Sequence, residues 1–146
     1  MDILCSKCLS GWWNILSAND GFKYVVVHNT HPSEHFKNKI YENYLTKIVY
    51  WFSIIKIQDI NNIKKETMKI SDKYVLFKYK EEKTVGYLFI NGATFDINDK
   101  NLMVLSGGID DQVNVFIRID YKNINYYNFE LTKWINDRNF IDIASE

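Results

Sequence analysis

The chain has 146 residues, of which 47% are apolar and 16% aromatic, and its 18 basic and 18 acidic side chains leave no net charge. This length predicts a single domain over residues 1–146, and this composition is sufficient for one buried core and excludes a largely disordered chain. A direct nucleic-acid-binding function is disfavoured, because phosphate contacts need clustered cationic side chains and Arg118 and Arg138 are the only arginines.

Signals for export or membrane insertion are missing from the sequence. The first residues lack the basic and apolar regions of a secretory signal. The longest apolar run, residues 48–57, is shorter than the roughly 20 residues that span a bilayer. Cys5 and Cys8 alone make no disulfide framework. We therefore expect a cytoplasmic protein that does not insert into a membrane.

The first half of the chain predicts one strand followed by one long helix. Residues 22–28 are β-branched and aromatic between turn-forming residues, which is typical of a strand. Pro32 suits a first helical turn, because its missing N–H is not needed there. Apolar residues then recur at three- and four-residue spacing, which predicts a helix over residues 33–55, with a buried strand as the alternative for its last ten residues.

The second half predicts an antiparallel meander, in which consecutive strands pair through short turns. Asn91-Gly92 is a strong hairpin signal, because a type I′ turn needs positive φ at both central residues. The strands expected are residues 74–80, 85–90, 93–97, 102–105 and 113–119, with 124–129 as a sixth, a turn at 98–101, a wider loop at 106–111 and a short helix at 130–140. The fold class expected is therefore α+β, an antiparallel meander of five to six strands with one long helix packed on it and a short C-terminal helix.

One set of residues has metal-ligand character. Cys5 and Cys8, with His28, His31 and His35, are of the types that bind zinc tetrahedrally. The segment between Cys8 and His28 is rich in tryptophan and β-branched residues, unlike a compact zinc finger, and the cysteine pair lacks the usual turn glycine. We favour surface histidines with two small thiols, and we predict neither a metal nor a cofactor.

Catalytic motifs are also missing. The sequence contains no Gly-x-Ser-x-Gly nucleophile elbow, no phosphate-binding glycine loop and no His-Glu-x-x-His motif. A Cys–His nucleophile pair would lack a third, orienting group. We therefore predict a protein that is not an enzyme. The alternative is a small-ligand-binding protein or an enzyme with an aromatic-lined pocket between helix and sheet, where His28 or Tyr79 supplies polar groups.

Acidic residues concentrate in the predicted turns of the second half. Alternate turns of a meander lie at the same sheet edge, so these carboxylates can form one patch that attracts a basic protein partner. Nearby tyrosines would add binding energy, because interface energy concentrates in Tyr and Trp. The ordinary alternative is that Asp simply forms good turns. The predicted partner-binding residues are Asp96, Asp99, Asp110, Asp111, Asp120, Tyr121 and Tyr126.

The general character of the chain combines a lone small domain, no export signal, Asp-rich turns between residues 96 and 111, and an AT-rich codon bias seen in 19 Ile, 16 Asn and 16 Lys residues. In this character the whole chain resembles the small immunity proteins encoded beside bacterial polymorphic or contact-dependent toxins, without a matching motif. The resemblance implies a cytoplasmic antitoxin that binds a cognate toxin domain, often a basic nuclease, and blocks its active site. A third hypothesis is a viral or structural interaction protein, with an exposed apolar patch and a homodimer as its signature.

Overall fold

The computed structural model describes residues 15–32, 48–58, 61, 67–76, 88–109, 113–128 and 140–143, and these residues form mostly β-strands in two sheets. No helix occurs among them, so the expected α+β fold with a long helix packed on a meander is wrong. The strands are β1 (Leu16–Ser17), β2 (Lys23–Pro32), β3 (Ile48–Ile57), β4 (Met68–Ser71), β5 (Lys73–Val75), β6 (Leu88–Phe95), β7 (Met103–Ile109), β8 (Val113–Ile119), β9 (Tyr126–Asn128) and β10 (Phe140–Asp142).

The larger sheet is built around β2 and β3, which pair antiparallel along all ten residues of each strand. Its order is β1-β2-β3-β4-β9, while β5 pairs with β3 and, in parallel, with β10. Both faces of the central pair are buried: Val26 and Ile54 lie on one face, and Val25 and Ile55 lie on the other. Strands buried on both faces have nearly continuous apolar sequences, which is the pattern of residues 48–57.

This double burial explains the wrong helix prediction. Residues 48–57 form β3, and residues 33–47 lie outside the described part of the chain. The run is interrupted only by Ser53 and Lys56, so its apolar residues show the three- and four-residue spacing of a helix even though they form a strand. Periodicity therefore cannot separate the two structures. Pro32 is the last residue of β2 and does not begin a helix there. The strand predicted over residues 22–28 is confirmed by β2.

The smaller sheet contains β6, β7 and β8 in antiparallel order. The strand predicted over residues 113–119 and the turn predicted over residues 98–101 are both confirmed. The loop predicted over residues 106–111 is wrong in its first part, because β7 continues to Ile109. The single meander is also wrong, since β9 pairs with β4 in the larger sheet.

The Asn91-Gly92 hairpin is wrong as well, because β6 runs through both residues. The register of β6 against β7 shifts between Ile90 and Gly92, so the extra residue is absorbed by a β-bulge instead of a turn. Gly107 lies opposite this irregularity, and a Cβ placed on it would be 2.2 Å from the carbonyl oxygen of Phe89. The close approach of the two backbones therefore requires glycine at position 107.

One hydrophobic cluster joins the two sheets. The larger sheet contributes side chains such as Tyr24 and Phe52, and the smaller sheet contributes Ile90, Met103 and Leu105. Burying a side chain of this size is worth roughly 1.5–3 kcal/mol, so the cluster favours face-to-face packing of the sheets. The inner face of β6 and β7 is thus largely buried, whereas an outer-face side chain such as Phe116 is exposed to solvent.

The end of the chain also differs from the expectation. Residues 126–128 form β9, inside the predicted sixth strand. Most of the helix predicted over residues 130–140 lies outside the described residues, and its last residue, Phe140, begins strand β10. Among the residues that the structure describes, no helix is long and apolar enough to cross a membrane.

Candidate functional site

The connection between β6 and β7, from Asp96 to Leu102, is named the Asp96 turn here, and its backbone is held by its own carboxylates. Asp96 Oδ1 accepts hydrogen bonds from the N–H groups of Asn98 (2.8 Å) and Asp99 (3.3 Å). Asp99 Oδ1 accepts one from the N–H of Asn101 at 3.0 Å. The Asp96 N–H donates to the Leu102 carbonyl at 2.9 Å, and the Leu102 N–H donates to the Asp99 carbonyl at 3.0 Å. These bonds stabilise this conformation of the turn.

An ion pair ties the Asp96 turn to the edge strand β8. Arg118 Nε lies 3.0 Å from Asp96 Oδ2. The Asp96 side chain is only 6% exposed, whereas the Arg118 side chain is 69% exposed. Because Asp96 is buried and both of its carboxylate oxygens have partners, it positions the turn and does not itself present a charge to another molecule.

The surface of the turn combines an apolar side chain with carboxylates. Ile97 is 93% exposed, more than any other large apolar side chain in the described part of the chain. Asp99 is exposed in the same turn. Asp120, at the end of β8, is exposed and accepts a 2.7 Å hydrogen bond from Asn123 Nδ2. The site can therefore make an apolar contact and accept hydrogen bonds from cations.

Tyr121 supports the turn from below. Its side chain is fully buried, and its hydroxyl donates to the carbonyl of Lys100 at 2.9 Å. Its ring centroid lies 4.7 Å from that of Tyr24 in an edge-to-face arrangement and 5.5 Å from that of Phe95. Burial raises the pKa of Tyr121, with smaller contributions from nearby aspartates, so the hydroxyl remains protonated and can keep donating.

Lys122 connects the turn between β1 and β2 to the Asp96 turn. Its ammonium group donates to Asn101 Oδ1 at 2.9 Å, and it also donates to Asn19 Oδ1 in the turn between β1 and β2. Three connections, at residues 18–22, 96–102 and 120–125, are therefore linked at one end of the molecule. The ammonium charge of Lys122 is directed at the two amide oxygens, and it also helps to lower the pKa of the nearby Asp20 carboxylate.

Asp20 lies at the same end of the molecule, but its contacts stabilise the fold. Its carboxylate accepts a 2.7 Å hydrogen bond from the Tyr24 hydroxyl and a 2.9 Å bond from the Phe22 N–H. Desolvation alone would raise the pKa of Asp20, but these two hydrogen bonds and the charges of Lys122 and Lys56 lower it overall. Asp20 is therefore ionised near neutral pH.

Tyr126 is half-buried behind Tyr121. Its hydroxyl donates to the Tyr121 carbonyl, and the Lys56 ammonium lies 5.6 Å from its ring centroid. Desolvation, with smaller effects from nearby tyrosines and Asp20, raises the pKa of Tyr126, so it too is a protonated donor within the fold. Tyr121 and Tyr126 thus support the site, and its surface is formed by Ile97, the exposed carboxylates and the exposed Lys100.

The structure brings together five of the seven predicted partner-binding residues. Asp96, Asp99, Asp120, Tyr121 and Tyr126 lie in or beneath the linked turns. The remaining two, Asp110 and Asp111, lie outside the described residues. The flanking Ile109 and Val113 pair with each other at the opposite end of β7 from the Asp96 turn, roughly 20 Å away at the usual rise per residue of a strand.

Two exposed apolar residues were missed by the sequence reasoning. Ile97 lies in the Asp96 turn, and Phe116 occupies an outward position of β8, where it is 76% exposed. The available signal for Phe116 was an aromatic residue between Asn114 and Arg118 on the polar face of an alternating strand. No comparable signal marks Ile97, because an isoleucine that ends one strand of a hairpin is normally read as core.

The histidines and cysteines of the zinc hypothesis are only partly described. Cys5, Cys8 and His35 lie outside the described residues, and the described residues contain no group of three or more metal-ligating side chains. His28 is half-buried between the sheets, with its ring centroid 4.7 Å from that of Phe89. Burial lowers the pKa of His28 despite a backbone hydrogen bond with Ile90, so its imidazole is neutral at pH 7. Tyr79 of the pocket hypothesis also lies outside the described residues.

No protein-family model, curated protein sequence or solved structure matches this chain.

Proposed function

We propose that this protein is a protein-binding inhibitor that presents the Asp96 turn to the cleft of a partner protein. The observation that carries the proposal is the 93% exposure of Ile97 on a turn whose backbone is held by the Asp96 and Asp99 carboxylates. A segment already fixed in one conformation loses little conformational entropy when it binds, which favours affinity. An apolar side chain at its surface can then fill a pocket of the partner.

The partner that fits this surface is a protein with a basic cleft. Asp99 and Asp120 are exposed, and opposite charges across an interface accelerate association and exclude wrong partners. Asp96, in contrast, is paired with Arg118 and contributes through the shape of the turn. Because the chain resembles immunity proteins in general character, we propose that the partner is a cognate toxin domain, such as a basic nuclease, and that binding blocks its active site.

The first test is capture of a partner from source-organism lysate at low and moderate salt, followed by purification of the captured protein. We expect Ile97→Ser to weaken its binding by about tenfold or more, the range in which interface hot spots lie. Asp99→Lys should reduce the association rate most strongly at low salt, because screening removes long-range attraction. Ile15→Ser is the matched control, since Ile15 is also an exposed isoleucine and is not part of the Asp96 turn.

Inhibition is tested separately from binding. The activity of the purified partner should fall linearly as the protein is added and vanish near a one-to-one ratio, while Ile97→Ser shifts the titration to higher concentration. A partner that binds Ile97→Ser and Ile15→Ser equally well would contradict the proposed surface. A partner that keeps its activity when saturated would contradict the inhibitory role.

A further inference from the structure

Strand β8 forms an edge of the smaller sheet. Within the part of the chain that the structure describes, it pairs with β7 alone, in a register that runs through all seven residues without a bulge. Natural edge strands are usually protected by proline, lysine or a bulge, because an unprotected edge pairs readily with another chain. β8 has none of these features, and Arg118 is its only charged residue.

The side chains of β8 are incompletely covered by the protein's own sheet. Phe116, at the centre of the strand, is 76% exposed, and its cross-strand neighbour is Ser106, which in turn pairs with Gly92. These small residues cannot cover an aromatic ring. On the inner face, Val115 and Ile117 are only half-buried. A strand added beside β8 would cover apolar surface on both faces.

From these features we infer that β8 pairs antiparallel with β8 of a second copy of this chain, about a two-fold axis at Phe116. The two three-stranded sheets then become one continuous six-stranded sheet. A two-fold axis through position 116 places Phe116 opposite Phe116 of the second copy. The pair supplies the aromatic cross-strand contact that neither copy has by itself.

The register and the charges of β8 favour a second copy over an unrelated strand. This register pairs all seven residues of each strand and places Arg118 opposite Asn114, whose amide oxygen can accept a hydrogen bond from the guanidinium group. Centring the pairing on Arg118 would instead oppose two like charges, which destabilises a strand pair. The strand is therefore complementary to itself. The inner-face pairs are Val115 with Ile117 and Val113 with Ile119.

The pairing leaves the Asp96 turn accessible. β8 ends at Ile119, which pairs with Met103 directly after the turn. Antiparallel pairing reverses the second copy, so the two turns lie at opposite ends of the six-stranded sheet. The dimer inference thus does not depend on the role proposed for the turn, and it predicts a protein with two outward-facing copies of that surface.

Sedimentation equilibrium of the full chain, from about 1 µM to about 100 µM, tests the inference. We expect the mass to rise to that of a dimer. Phe116→Lys opposes two ammonium groups and removes the aromatic contact, so it should raise the dimer Kd at least about tenfold. Thr94→Lys, which adds the same charge at an exposed outer-face position of β6, should leave the Kd unchanged. Circular dichroism checks that both variants are folded.

A charge exchange distinguishes self-pairing from other modes of association. Phe116→Lys mixed with Phe116→Glu should form a dimer that neither variant forms alone, because position 116 faces its own copy. A wild-type protein that is monomeric up to about 100 µM would overturn the inference, and so would a dimer that Phe116→Lys does not weaken. If the wild type is monomeric and only the Phe116→Lys variant fails to bind the captured protein, β8 is the binding site for that protein and not for a second copy. Failure of the Ile97→Ser experiment contradicts the inhibitor proposal only.

Discussion

The two sheets use similar β-rich sequences in different ways. In the larger sheet, β2 and β3 bury side chains on both faces, and neighbouring positions such as Ile54 and Ile55 are equally inaccessible. In the smaller sheet, β8 alternates between half-buried Ile117 and exposed Phe116. The larger sheet therefore contributes mainly to the stability of the fold. In the smaller sheet, the outer face of β8, its free edge and the Asp96 turn are accessible to other molecules.

The largest effect that tests this comparison is truncation of the central strand. Ile54→Ala and Ile55→Ala should each lower the free energy of unfolding by about 2–5 kcal/mol, because both side chains are fully buried and each leaves a cavity. Ile117→Ala should lower it by less than half as much. Phe116→Ala, compared at a protein concentration where both proteins are monomeric, should change it by at most about 0.5 kcal/mol. Urea denaturation measures all four. A much smaller loss for either Ile54→Ala or Ile55→Ala would contradict double burial.

Two adjacent glycines sharpen the comparison within β7. Gly107→Ala would place a Cβ 2.2 Å from the Phe89 carbonyl oxygen, and the backbone of β6 would have to move. We expect a loss of about 1–3 kcal/mol, as for other overpacked sites. Gly108→Ala is the control, since its Cβ would lie 3.7 Å from the nearest atom outside its chain neighbours, the Val113 carbonyl oxygen, in ordinary contact. Equal melting temperatures for the two variants would refute the close approach of β6 and β7.

Asp96→Asn tests whether the turn is held by its buried carboxylate. The substitution removes the charge that pairs with Arg118 and weakens the acceptor for two backbone N–H groups. We expect a loss of about 1–2 kcal/mol in the free energy of unfolding, together with faster hydrogen exchange of the Asn98 and Asp99 amides. Asp120→Asn is the control, because Asp120 is exposed, and it should stay within about 0.5 kcal/mol of the wild type. Unchanged exchange in Asp96→Asn would remove the argument for a fixed turn.

The tyrosine cluster should also make the protein sensitive to alkaline pH. Burial raises the pKa of Tyr24, Tyr121 and Tyr126 above the ordinary value of 10.0, so the folded protein keeps protons that the unfolded chain releases. Stability is therefore complete below that value and is lost as the pH rises above it. The urea midpoint should be lower at about pH 11 than at about pH 8. Tyr24→Phe should reduce this difference, and a midpoint that stays constant between the two pH values would show that the hydroxyls are not shielded.

Strands with one exposed face could be predicted from local sequence. Strand β8 agrees with its prediction because alternation of apolar and polar residues follows the two-residue repeat of a strand directly. The turn at residues 98–101 agrees because Asp and Asn bond to neighbouring backbone N–H groups, which is a local interaction. Within the candidate site, the same reasoning placed Asp99 in this turn and Asp120 on the polar face of the strand, and both side chains are exposed.

Only the tertiary structure decided the remaining features, because each depends on what packs against a residue from elsewhere in the chain. Residues 48–57 are a strand since both faces of β3 are covered, and Asn91-Gly92 forms a bulge since β6 continues along β7. Packing also determines that Asp96 is buried against Arg118 while Ile97, the next residue, is exposed. The sequence by itself determined where strand β8 and the turn at residues 98–101 form. Burial by residues from elsewhere in the chain decided which of their side chains are exposed.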